Sequence, residues 1–265
     1  MAEITGGLLK NVEGHLDGTT IYKRGGKTFM RSTHIIQPRR LSRKQLALRE
    51  QIAHNNVLWR RLKATHHTYF EGGVDAYRRF MSVNTLSPTV YLTKSQLACN
   101  MSLLLPNMAV SSGPLSPIIY QLDEVDGQLA LITNLTPKEM RKGTYLLYIL
   151  QQEVVHWQNG EELPQVQISV VPVTPNQDIE IPHIGTAHLV NVPSTLLTPH
   201  ISREGSLALV GDLFADPMLG FALVHIQDGH VSPQYVVTRC TYYERYTTEE
   251  ALQTAADSYK GLTGE

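Results

Sequence analysis

Tyr145-Leu-Leu-Tyr-Ile-Leu150, Asn159-Gly160 and Gln165-Val-Gln-Ile-Ser-Val170 stand close together in this chain, and their reading decides the fold class. Val166, Ile168 and Val170 alternate with Gln165, Gln167 and Ser169, the period of a strand buried on one face. The apolar run before them has strand length, and Asn-Gly between two such runs supplies the positive φ that a two-residue hairpin turn needs. The same signal recurs at Asp126-Gly127, between residues 118–122 and 129–132, and at Asp228-Gly229, between residues 221–226 and 235–237. Residues 89–92, 187–191 and 206–210 add further strand-like runs. The sum predicts an α+β, mainly β chain built on an antiparallel β-sandwich, immunoglobulin-like or related.

Upstream of the strands the pattern changes. Asp17-Gly18 and Gly25-Gly26 bracket the alternating run 19–23, which predicts a small basic β-meander. A helix follows. Ser42 with Gln45 forms a capping box, Leu41 can staple onto Leu46, and Leu48, Ile52, Trp59 and Leu62, flanked by Ala53 and Val57, form an expected buried stripe. Residues 74–81 predict a second, shorter helix with Tyr77, Phe80 and Met81 inward. Thr247 and Glu250 read as another capping box, opening a short C-terminal helix that docks on the sandwich. The expected divisions are a basic hairpin-and-helix module over 1–85, the β-sandwich over 86–246, and a C-terminal helix and tail over 247–265.

Charge singles out the first of these. Residues 1–80 hold fifteen Lys and Arg against six Asp and Glu, a net of +9, whereas residues 81–265 carry −10. An asymmetry hidden in a near-neutral total points to a basic module that meets something anionic. The candidate contacts are Lys23, Arg24, Lys27, Arg31, Arg39, Arg40, Arg43 and Lys44. Tyr22 and Phe29 read as a cross-strand core pair.

Composition narrows the classes. With 42% hydrophobic residues in 265, the chain is long enough for real cores and lacks the signature of disorder. No apolar run reaches membrane-span length and no classical export signal opens the chain, so a cytoplasmic protein with no membrane partner is expected. Cys99 and Cys240 read as reduced, buried small hydrophobes in strand-like runs, and no cofactor is expected.

Catalytic motifs were sought residue by residue. Gly26-Lys27-Thr28 has the tail of a phosphate-binding loop, but Ile21 stands where its first glycine belongs. The pairs His66-His67, His183 with His188, and His225 with His230 lack the spacing of a zinc protease; His225 and His230 flank one turn and so face each other across a hairpin at best. No Gly-x-Ser-x-Gly elbow occurs. The chain therefore reads as no enzyme, with one reservation of principle: a polar pocket lined by His225, His230 or Glu153 would show only in three dimensions.

Gly14, Gly18, Tyr22, Lys23, Gly26, Lys27 and Arg31, then Pro38, Gln45 and Arg49, and finally Gly220-Phe-Ala-Leu-Val-His225 with Val231-Ser-Pro-Gln234 form a pattern. It resembles a family of bacterial proteins of unknown function, common in the Bacteroidota, with a glycine-rich basic N-terminal stretch and a Gly-Phe-Ala-x-Val-His run near the end. The likeness covers the first fifty or so residues and about fifteen near the end, and Pro233 departs from it. It implies no activity. The functional expectation is a non-catalytic interaction or assembly protein whose basic module binds an acidic protein surface or another copy of itself, giving a homo-oligomer. Its alternative is a nucleic-acid-binding protein that contacts phosphates through the same residues.

Overall fold

The computed structural model describes residues 2–4, 14–16, 19–32, 42–65, 69–71, 75–85, 89–156, 160, 162–174, 178–181, 184–193, 195, 205–238 and 242–259. Contacts divide the chain into two compact units, one of residues 1–41 with 260–265 and one of residues 42–259. The first holds the basic meander as a four-stranded antiparallel sheet in the order β1 (Ala2–Ile4), β4 (Lys27–Ser32), β3 (Thr19–Arg24), β2 (Gly14–Leu16). Gly25 and Gly26, at φ 59° and 74°, make the two-residue turn between β3 and β4 that the sequence signals. Leu16 pairs with Thr19 across the Asp17-Gly18 position, which itself lies outside the described residues.

The second unit contains the sandwich. One five-stranded sheet runs β10 (Glu162–Val173), β9 (Thr144–His156), β14 (Leu219–Gln227), β15 (His230–Val231), with β17 (Val237–Thr238) also on β14. The other runs β11 (Asp178–Ile181), β12 (Gly185–Val192), β13 (Ser206–Val210), β8 (Gln128–Thr133), β7 (Tyr120–Val125). Every pairing in both is antiparallel. Alternation assigns the layers: Tyr145, Leu147, Ile149, Phe221 and Leu223 face Leu131, Ile179, Ala187, Leu189 and Leu209 of the opposing sheet in one buried cluster. Leu146, Tyr148, Leu150, Ala222 and Val224 point the other way and pack under helices.

Those helices are α1 (Arg43–Ala64) and α2 (Ala76–Asn84), which contribute Leu58, Leu62 and Phe80 to the same cluster. They thus lie in the unit that holds the sheets, and the expected division at 85/86 falls inside it. A three-stranded sheet, β16 (Gln234–Tyr235), β6 (Ala109–Ser112) and β5 (Tyr69–Phe70), completes this side. The five-residue α3 (Lys94–Ala98) and α4 (Glu249–Ser258) follow, α4 docking Leu252 and Tyr259 on Leu46 of α1. No helix among the described residues is long and apolar enough to cross a membrane.

Several local readings change. Ser42 caps α1 with the expected reciprocal box, yet Leu48 and Ile52 are 51% and 40% exposed, and the inward face is Leu46, Glu50, Gln51, His54, Asn55, Val57, Leu58 and Leu62. The apolar stripe pattern misplaces the middle of this helix because its buried face is polar there. Thr248, not Thr247, caps α4, since Thr247 bonds back to the Glu244 carbonyl and closes the preceding turn. Residues 89–92 join no sheet, although Val90 and Leu92 are fully buried. Cys99 caps the end of α3, half-buried, and Cys240 lies outside the described residues. After the Asp228-Gly229 turn β14 pairs first with His230–Val231, and of residues 235–237 only Val237 pairs with it, through β17.

The polar face of α1 has a structural purpose. Residues 101–105 are buried without belonging to a sheet, so their backbone groups need other partners. His54 Nε2 accepts from the Leu103 N–H at 3.0 Å, Gln152 Oε1 from Leu104 at 2.6 Å, and Gln152 Nε2 donates to the Ser102 carbonyl at 3.2 Å. Ser102 Oγ accepts from Val166 of β10 at 2.8 Å. Asn84 Oδ1 accepts from Ala109, and its Nδ2 donates to the Phe80 and Ala109 carbonyls. Asn55 of α1 donates to the Asn84 carbonyl at 3.3 Å. Removing this hub by Asn84→Ala strands the Ala109 N–H and its carbonyl, and should cost roughly 3 kcal/mol, read from denaturant midpoints.

Two titratable groups are buried in the same face. Burial pushes Glu50 up to about 7, against the weaker opposing pull of the Tyr259 hydroxyl, Arg49 and the Leu92 amide. Burial pulls His54 down to about 4. For Glu50 the folded value lies above the unfolded one, so the unfolded chain loses its proton first and stability falls as pH rises from 4.5 toward 7. His54 works in the opposite sense, stabilising less as pH falls from 6.5 toward 4. Glu50→Gln should therefore match the parent near pH 4.5 and exceed it by about 3 kcal/mol above pH 7, measured by urea denaturation across that range.

Candidate anion-binding surface

In the first unit, register decides which cations share a face. Directly paired residues point to the same side of a sheet, so Arg24 with Lys27, Tyr22 with Phe29, and Thr20 with Arg31 form one face. Ile21 with Met30 and Lys23 with Thr28 form the other, where Ile21 and Thr28 are buried. Arg24, Lys27 and Arg31 are exposed, while Tyr22 and Phe29 are half-buried and stack at 5.7 Å with their planes 24° apart. Glu3 of β1 stands opposite Phe29 in register and His15 of β2 opposite Thr20. The pair expected as core is thus the centre of a half-open strip with cations at both ends.

Lys23 occupies the opposite face of the sheet. Arg39 and Arg40 lie outside the described residues. Arg43 and Lys44 are in the first turn of α1 in the second unit, and Arg43 is engaged by Glu249 at 2.5 Å. That second unit has a cationic groove of its own, about 570 Å³, in which Arg60 and Arg61 stand over Val57, Val166 and Ile168, with Arg61 donating to Gln165 Oε1 at 2.8 Å.

The histidines are built into the fold. His225 lies face to face with Tyr145, ring centroids 4.6 Å apart, and burial keeps it below the ordinary imidazole range. Its buried Nε2 makes no hydrogen bond among the described residues and rests on Gly143, where an added Cβ would stand 2.3 Å away. His230 Nδ1 meets Glu71 at 3.0 Å, whose other oxygen accepts from the Val231 amide. His188 pairs with Asp178. His66, His67 and His183 lie outside the described residues.

A cavity of about 450 Å³ opens at one end of the sandwich, lined by Pro117, Asn134, Glu139, Lys142, Tyr145, His225 and Gln227. Its polar groups are largely committed. Glu139 accepts from the Thr136 N–H and hydroxyl, and the Tyr145 hydroxyl, pushed up to about 12 chiefly by burial, donates to the Glu139 carbonyl at 3.3 Å. Glu153 stands elsewhere, paired with Gln167 on the exposed face of β9 and β10. Among the described residues no three His, Cys, Asp or Glu side chains converge as metal ligands.

Compared with family models, curated proteins and solved structures, the chain matches none. The site residues are therefore read from this chain's own geometry. What the sequence reading missed was that the Tyr22–Phe29 pair shares a face with Arg24, Lys27 and Arg31; the parity of the β3–β4 pairing, countable from the Gly25-Gly26 turn, carries it.

Gly143→Ala tests whether His225 is a packing residue. A Cβ there also meets the Ile226 carbonyl at 2.6 Å, which cannot be relieved by a rotamer change. The substitution should lower the melting temperature by several degrees and return the His225 pKa to the ordinary imidazole range, followed by NMR titration.

Proposed function

We propose that this chain is a non-catalytic interaction protein whose basic N-terminal sheet docks an anionic partner. The observation that carries the reading is the register that places Arg24, Lys27 and Arg31 on one side of β3 and β4, all exposed. Three cations on one face raise the local potential more than the same charges scattered over a surface, and they do so in a chain whose total charge is −1. Two kinds of partner meet that description. One is an acidic protein surface, including residues 81–265 of a second copy with their net −10; such a contact is heterologous and closes into rings or extends into filaments. The other is a nucleic-acid backbone.

The reading predicts that the protein is retained on immobilised heparin near pH 8 at low salt despite its net negative charge, and elutes as salt screens the contact. Arg24→Glu with Lys27→Glu and Arg31→Glu should abolish retention. The same reversal at Arg60, Arg61 and Lys63 should leave it intact. Retention that survives the first triple and disappears with the second moves the site to the α1 groove and contradicts the proposal.

A further inference from the structure

The face that carries the cations also carries two aromatic rings, Tyr22 and Phe29. Along β3 and β4, side chains on one face recur every two residues, about 7 Å apart. The strip therefore steps from Arg24 and Lys27, through the Tyr22–Phe29 stack, to Arg31. Cations at the two ends stand two such steps, about 13 Å, apart, wide enough for a strand to place phosphates at both ends and bases between, and the half-exposed rings in the middle offer apolar π surface to those bases. In a duplex the base faces are already stacked on one another and only groove edges and phosphates are presented. Rings on a sheet face gain from a nucleic acid only when its bases are unpaired.

Resting on the reading that this face binds an anion, we propose that its partner is single-stranded nucleic acid, held by Arg24, Lys27 and Arg31 at the phosphates and by Tyr22 and Phe29 at the bases. The register makes the two contributions separable, because no residue of the strip supplies both.

The test is fluorescence anisotropy of the full chain with a labelled 20-nucleotide oligo-dT and with the corresponding duplex. Oligo-dT should bind at least about tenfold more tightly than duplex, since each stacked base contributes about 1–3 kcal/mol. Three phosphate contacts predict an affinity loss of about twenty-fold between about 50 and 200 mM salt. Tyr22→Ala with Phe29→Ala should weaken oligo-dT binding by about ten- to a hundred-fold with the salt slope unchanged. Arg24→Gln, Lys27→Gln and Arg31→Gln should flatten the slope while single-strand preference persists. Equal affinity for duplex and single strand overturns the proposal, and this comparison needs no variant to fold. A protein that is retained on heparin yet binds neither oligo-dT nor duplex also overturns it, while leaving the anion-binding reading standing. Failure to bind any polyanion at low salt overturns both.

Discussion

A stretch of backbone, residues 101–105, passes through the interior of the larger unit without a sheet to pair with, and the rest of that unit depends on how its amides are satisfied. In an apolar interior an unpaired N–H or carbonyl costs about as much as several methylenes of burial gain. The partners come from side chains and backbone together: His54 of α1 and Gln152 of β9 take the Leu103 and Leu104 amides, the Gln96 and Pro164 carbonyls take those of Met101 and Ser102, Ser102 Oγ takes Val166 of β10, and Asn84 at the end of α2 serves Ala109 beyond the stretch. Each of these ties one layer to the next. The helices cannot leave the sheet without exposing amides that have no substitute partner, which explains why α1 and α2 share a core with β9, β10 and β14.

This constraint also shows where sequence reading reaches and where it stops. Hairpin chemistry is local, so Gly25-Gly26, Asp126-Gly127 and Asp228-Gly229 could be recognised as turns, and all six residues have positive φ. The Ser42 cap is equally local. The inward face of α1 is not. Glu50, Gln51, His54 and Asn55 look like a solvated face until their surroundings are in place, and the partners of Gln51, Asn55 and His54, at Asn84 and Leu103, lie some thirty to fifty residues away. Leu48 and Ile52 were plausible core residues for the same reason. The basic site was half legible. The charge excess marks the N-terminal region, but grouping by sequence proximity places Lys23 with Arg24, whereas strand parity puts them on opposite faces of the sheet.

The proposed binding face and the scaffold draw on different chemistry in the two units. The sandwich commits its histidines and carboxylates to packing: His225 to Tyr145 and Gly143, His230 to Glu71, Glu139 to Thr136. The N-terminal sheet spends Ile21 and Thr28 on its buried side and leaves Arg24, Lys27 and Arg31 exposed on the other.

The most direct measurement of the structural account is native-state hydrogen exchange at Leu103, Leu104 and Ala109, compared with the central amides of β9. If side-chain partners hold the buried segment as part of one cooperative core, these three amides exchange only through global unfolding, with the same free energy and denaturant dependence as β9. Exchange at Leu103 and Leu104 through a low-energy local opening, with β9 still protected, would contradict the claim that this segment ties the layers together.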